Sequence, residues 1–253
     1  KLGKEHVSYI SQLYSLAIHH RQKGNYQNAI VLLIQVLEAR EVLFGKVSTG
    51  YVDVESALAT TYLYDGQYNK GIELAEEMKE HILGYADENH KDYLEYLKLL
   101  ADANKNQDKF EKSKYYYEAW LNAAKKLYGT NHEDYAYYLR QTGRMYKYFG
   151  KNETALPYLQ SAVNLLAITQ GTQNQKYAWS LGTLGEIQYS LENYKEALSA
   201  KEQIISIYKN VYGEESNYHI EAKSSLANLY YDLGRYADSE ELYQETLSLC
   251  EIG

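Results

Sequence analysis

The sequence predicts an all-α solenoid of six helix-turn-helix repeats of 42 residues each. Three observations carry that prediction. A turn mark of the form Gly-x-aromatic, followed three residues later by a small residue, opens at Gly24, Gly66, Asp108, Gly150, Glu192 and Gly234, each 42 from the last, with Asn152 in the aromatic place of the fourth and Asp108 and Glu192 in place of glycine. A second mark, a glycine often preceded by an aromatic residue, falls on Gly3, Gly45, Gly129, Gly171 and Gly213, with Asp87 standing where the missing member belongs. Between the marks apolar residues recur at i, i+3, i+4 and i+7, and no segment alternates with the period of a strand.

Each repeat therefore reads as two amphipathic helices, A and B. In the first, Leu13, Leu16, Ala17 and His20 share a face of helix A, and Ala29, Ile30, Leu33, Val36 and Leu37 mark helix B. The A helices are expected at 8–23, 50–65, 92–107, 134–149, 176–191 and 218–233. The B helices are expected at 26–43, 68–84, 110–127, 152–169, 194–211 and 236–250. The repeats then run 8–49, 50–91, 92–133, 134–175, 176–217 and 218–253, forming one array. Glycine suits both turns because a helix commonly ends on a residue at positive φ. The single proline, Pro157, falls in the first turns of the fourth B helix, where the edge of the free N–H donors lies.

Composition narrows the chemistry. The chain has 253 residues, 30 tyrosines, one cysteine and a formal charge of −8. One thiol excludes an internal disulfide scaffold and a multi-cysteine zinc site. The acidic balance argues against nucleic acid and anionic membrane as partners. No apolar run reaches the length of about 18 residues that spans a bilayer.

The repeated residues resemble the tetratricopeptide repeat family. Leu16-Ala17, Leu58-Ala59, Leu100-Ala101, Thr142-Gly143, Leu184-Gly185 and Leu226-Ala227 fill its Leu-small pair, and Tyr62, Tyr146 and Tyr230 its tyrosine position. The 42-residue period, Asn131 to Ala136 and Glu153 to Tyr158 are similar to the longer-helix subclass of kinesin light chains and bacterial arrays. The resemblance implies a right-handed superhelix whose A helices line a concave groove. It does not extend to the paired asparagines of kinesin light chains, since Arg140-Gln141, Gly182-Thr183 and their equivalents occupy those positions.

The groove positions implied by the resemblance single out the fourth repeat. Arg140, Arg144 and Lys147 form one stripe flanked by Tyr137 and Tyr148. The third repeat adds Lys98, Lys105 and Asn106, and the fifth adds Trp179 and Tyr189. Arginine forks match carboxylates and aromatic rings supply stiff contact area. The expected ligand is an acidic or C-terminal peptide segment with an apolar anchor. The competing reading is internal pairing with Glu95, Asp102 and Glu186. Tyrosine runs at 115–117 and 135–138 exceed the packing need, so some are expected to be exposed.

No catalytic constellation emerges, so no enzyme activity and no cofactor or metal is expected. His19 and His20 are adjacent and diverge by about 100° on a helix, which does not suit one ion. His6, His90 and His132 recur at the same connection, which a periodic turn role explains. The expected function is a protein-interaction scaffold in the cytoplasm. The alternatives are the regulatory arm of a caspase-like protease or histidine kinase, and a module that self-associates end to end. Leu2-Gly3 match a connection between repeats and Gly253 stops two residues before the next one, which predicts a segment of a longer array.

Overall fold

The computed structural model describes residues 6–252. The connection residues Leu2 to Glu5 and the terminal Gly253 lie outside them. Among the described residues there are twelve α-helices and no strand. The chain forms two compact units, Lys1–Leu127 and Tyr128–Gly253. In the first, helices α1 (Val7–Gln22), α3 (Thr49–Tyr64) and α5 (Lys91–Asn106) are the A helices, and α2 (Tyr26–Phe44), α4 (Tyr68–Leu83) and α6 (Phe110–Tyr128) the B helices. In the second, α7 (Glu133–Tyr148), α9 (Gln175–Ser190) and α11 (Asn217–Asp232) alternate with α8 (Asn152–Gln170), α10 (Tyr194–Tyr212) and α12 (Tyr236–Ile252). Each unit is a solenoid of helix-turn-helix repeats, and each A helix begins one residue before its expected start.

That shift has a local cause. Residues 6, 48, 90, 132, 174 and 216 cap the six A helices. Ser48, Asn174 and Ser216 accept the third residue's N–H, at 3.3, 2.9 and 3.3 Å. His6, His90 and His132 accept through Nδ1 instead, at 3.1, 3.3 and 3.2 Å. A side-chain acceptor here satisfies a backbone donor that the helix leaves free. The three recurring histidines are thus helix caps.

The turn from A to B closes with a paired hydrogen-bond pattern. In the first repeat Asn25 N–H donates to the His20 carbonyl at 2.9 Å and Gly24 N–H to that of Arg21 at 3.0 Å. The pattern places residue 24 at φ +76° and its equivalents between +55° and +76°. Asp108 and Glu192 hold that left-handed conformation with a side chain, which costs energy.

Two small residues meet where each pair of helices crosses. Ser113 Oγ donates to the Ala101 carbonyl at 3.4 Å and Ser239 Oγ to the Ala227 carbonyl at 2.8 Å. A Cβ on Gly143 would fall 2.7 Å from Leu159 Cγ and 3.3 Å from the Ala155 carbonyl. Around these crossings lie the cores, with Leu33, Met78, Ile82 and Leu100 in the first unit and Met145, Leu159, Leu166 and Ile187 in the second.

Two elements depart from the period. α4 stops at Leu83, three residues shorter than α2, and residues 84–90 fold into turns in which Asp87 Oδ1 accepts the Asn89 N–H at 2.9 Å. Asp87 replaces the glycine that ends the other B helices in the first five repeats at φ between +73° and +91°. Pro157 is the sixth residue of α8, beyond the free donors, so the helix lacks one backbone bond there.

The first unit also buries a charged pair. Glu55 is fully buried on α3, and both its oxygens lie 2.9 Å from His81 Nδ1 on α4. Burial pushes the Glu55 carboxyl up to about 7, against the hydrogen bond and charge of His81.

Two consequences are measurable. Glu192→Gly relieves the left-handed strain and raises stability by about 1 kcal/mol in urea unfolding, net of glycine's greater freedom when unfolded. The raised Glu55 value means that the folded state holds that proton more tightly than the unfolded chain. Its stabilising contribution is therefore present at low pH and lost as pH rises through about 7. The melting temperature is expected to fall between about pH 5 and 7, the interval between the ordinary and the raised Glu55 values, and Glu55→Gln to flatten that fall.

Candidate functional site

The outward positions of an A helix follow from what its inner face buries. On α7, Ala136, Leu139, Thr142, Gly143 and Tyr146 are buried, leaving Tyr137, Arg140, Arg144 and Lys147 along the opposite stripe. The second unit thus holds seven of the ten candidate residues, these four with Tyr148, Trp179 and Tyr189. Lys98, Lys105 and Asn106 belong to α5 of the first.

The cations divide into two groups. Lys98 Nζ lies 3.6 Å from Glu95, one turn before it. Lys105 Nζ lies 2.8 Å from Asp102 and donates to the Tyr117 hydroxyl at 3.3 Å. Lys147 pairs with Glu186 of α9. Internal pairing, weighed above as the competing reading, describes these three lysines. It does not describe the arginines. Arg144 is exposed and donates to the Gln141 side chain at 3.2 Å. Arg140 is half-buried between two rings, 6.0 Å from the centre of Tyr137 and 5.9 Å from that of Trp179. Among the described residues no carboxylate lies within ion-pairing distance of Arg140. Burial pushes its guanidinium below the ordinary value, and the charge of Arg144 adds to that.

A cavity of about 250 Å³ opens beside this sandwich, lined by Tyr137, Arg140, Leu166, Trp179 and Ser180 with Glu133, Lys176 and Asp134, the last 3.6 Å from His132 Nδ1. On its rim Glu133 is taken by Lys176 at 2.9 Å. Tyr137 and Trp179 keep 39% and 44% of their surface exposed, so apolar area remains for a ligand next to the cation. Tyr148 is 54% exposed, at the far end of α7. Tyr189 packs its ring 5.7 Å from Tyr194. It stands about 15 Å along α9 from Trp179, outside the sandwich. Asn106 is exposed at the end of α5.

Sequence reasoning missed Lys201. It lies on α10, its Nζ donates to Ser225 Oγ at 2.6 Å, and burial lowers its ordinary value while Glu186 opposes. The signal was available: the equivalent positions hold Leu33, Ala75, Tyr117, Leu159 and Tyr243. A lysine in that register must find polar partners. Among the described residues no group of three or more His, Cys, Asp or Glu could hold a metal ion, and no helix is long and apolar enough to cross a membrane.

Repeated A–B pairs with small residues at every crossing define a helical-repeat protein. A profile of the tetratricopeptide repeat matches residues 9–80, 93–168, 150–210 and 176–252, and the chain belongs to that family. Its fold is similar to nearly identical TPR-like repeats of a Podosopora anserina kinesin light chain, at TM-score 0.68 and 21% identity, covering 82% of this chain and 98% of that one. BtubC (BKLC) from P. vanneervenii superposes at TM-score 0.70 with 16% identity over 96% of this chain and 91% of that one. A Rap protein complexed with competence and sporulation factor superposes at 0.56 with 15% identity, over 96% and 77%. A search of curated protein sequences returns no match.

Proposed function

We propose that the chain is a protein-interaction scaffold whose second unit captures an acidic peptide segment at Arg140 and Arg144. The observation that carries this reading is the Arg140 guanidinium, half-buried between Tyr137 and Trp179 with no carboxylate in reach. A buried cation without an anion is costly unless something supplies one. Arginine tolerates the position because its weakly hydrated plane stacks on rings, and it keeps its fork available for a carboxylate. The adjoining cavity offers apolar walls from Tyr137, Leu166 and Trp179, which suit an aliphatic or aromatic side chain beside that carboxylate. Lys98, Lys105 and Lys147 already hold acidic partners and set local charge. The solved Rap complex offers a parallel in kind, a protein of similar fold complexed with competence and sporulation factor.

Trp179 reports on the site, because its ring is part of the sandwich and is exposed. A peptide ending in a free C-terminal leucine should change its fluorescence saturably, and the amidated peptide much less. Arg140→Gln should weaken binding at least about tenfold, the cost of one charge-assisted contact. Equal binding of the free and amidated peptides would refute the assignment.

A further inference from the structure

The first unit contains a second pocket in which two arginines form no ion pair. It is a cavity of about 460 Å³, walled by Tyr14, Arg21, Arg40, Asp53, Ser56 and Thr60 among others. Arg21, in the last turn of α1, donates to the Ala57 carbonyl of α3 at 3.4 Å. Arg40, near the end of α2, sits over the Phe44 ring at 5.5 Å. A Cβ on Gly50 would fall 2.8 Å from Arg40 Nη1, so a side chain there would push the end of Arg40 aside. The equivalent residues in other repeats are Ser8, Asp92, Asp134, Lys176 and Tyr218, so Gly50 is the one that clears room for a guanidinium. Among the described residues neither arginine forms an ion pair.

The acidic groups of the same pocket are mostly committed. Asp92 accepts the Tyr85 hydroxyl at 2.5 Å and lies 3.3 Å from His90. Glu95 holds Lys98. Asp53 remains, its carboxyl pushed up by burial and by the charge of Asp92, against the weaker pull of Lys91 and Arg40. The Tyr14 hydroxyl is pushed up by burial against the pull of both arginines, so it stays a neutral donor.

We propose that this pocket binds the oxyanion of an acidic peptide residue, either a carboxylate or a phosphate ester. Arg21 and Arg40 hold its oxygens, Tyr14 donates a further hydrogen bond, and Asp53 accepts an N–H from the same segment. Two guanidiniums and a phenol are the donor set that either oxyanion needs. The site stands on residues of the first unit alone and does not depend on Arg140.

The chain has five arginines, Arg21, Arg40, Arg140, Arg144 and Arg235, so their Nε–H signals can be assigned by substitution. Three blocked tripeptides are titrated into the ¹⁵N-labelled protein, with glutamate, phosphoserine or glutamine at the centre. The glutamyl or phosphoseryl peptide is expected to shift the Arg21 and Arg40 signals saturably, the tighter of the two naming the source. The glutamine peptide should not shift them. Arg40→Gln should weaken the effect at least about tenfold. Gly50→Ala, which keeps Arg40 but displaces it, should weaken it as well. The double reversal of Arg140 and Arg144 to Glu should leave it unchanged, which separates this site from the one proposed above. No saturable shift, equal response to the glutamine peptide, or unchanged binding by both the Arg40 and Gly50 variants would overturn the assignment.

Discussion

The whole architecture depends on one close approach per repeat, where a small residue of helix A meets a small residue of helix B twelve positions later. The pairs are Ala17 with Ala29, Ala59 with Gly71, Ala101 with Ser113, Gly143 with Ala155, Gly185 with Ala197 and Ala227 with Ser239. A Cβ on Gly71 would already fall 2.6 Å from Leu63 Cδ2 and 3.2 Å from the Ala59 carbonyl. Close-packed interiors tolerate such overlap poorly, so volume at the crossing fixes the rotation of both helices. Once rotation is fixed, the outward residues of each A helix follow without further choice. The stripe from Tyr137 to Lys147 is a consequence of what α7 must bury.

Electrostatics then sorts the cations on those outward positions. Lys98 and Lys105 find carboxylates one turn away on their own helix, and Lys147 finds Glu186 on the next A helix. Arg140 has Tyr137 and Arg144 as its neighbours along the helix and Trp179 across from it. Rings accept a guanidinium face while leaving its edge donors unsatisfied. Arg40 repeats the arrangement in the first unit, with Phe44 beneath it and Gly50 making room. Among the described residues, each unit thus has an arginine that packs against an aromatic ring and forms no ion pair with an internal acid.

Much of this was legible in the sequence because turns and crossings recur by residue type. The period placed every helix within a few residues, and the recurrence of His6, His90 and His132 marked the caps that the structure shows. The early end of α4 was signalled by Asp87, though its form depended on hydrogen bonds within the turn. Contacts between repeats were harder to read, because they depend on distances that the period does not encode. Glu55 and His81 each replace an apolar residue, as Leu13, Leu97 and Leu139 or Ala39 and Ala123 show, yet their pairing emerges only when α3 meets α4. The distinction between paired lysines and ring-held arginines had the same origin. The family resemblance assigned Lys98, Lys105, Lys147 and Arg140 alike to groove positions, and only side-chain geometry separates them.

The account stands on Arg140 and Arg144 as the residues that capture a partner. The most direct measurement is affinity capture from source lysate by the wild-type chain and by a variant with both arginines reversed to Glu, each checked for unchanged helicity. The account predicts a partner retained by the wild type and lost by the reversal. The same partner captured equally by both proteins would contradict it.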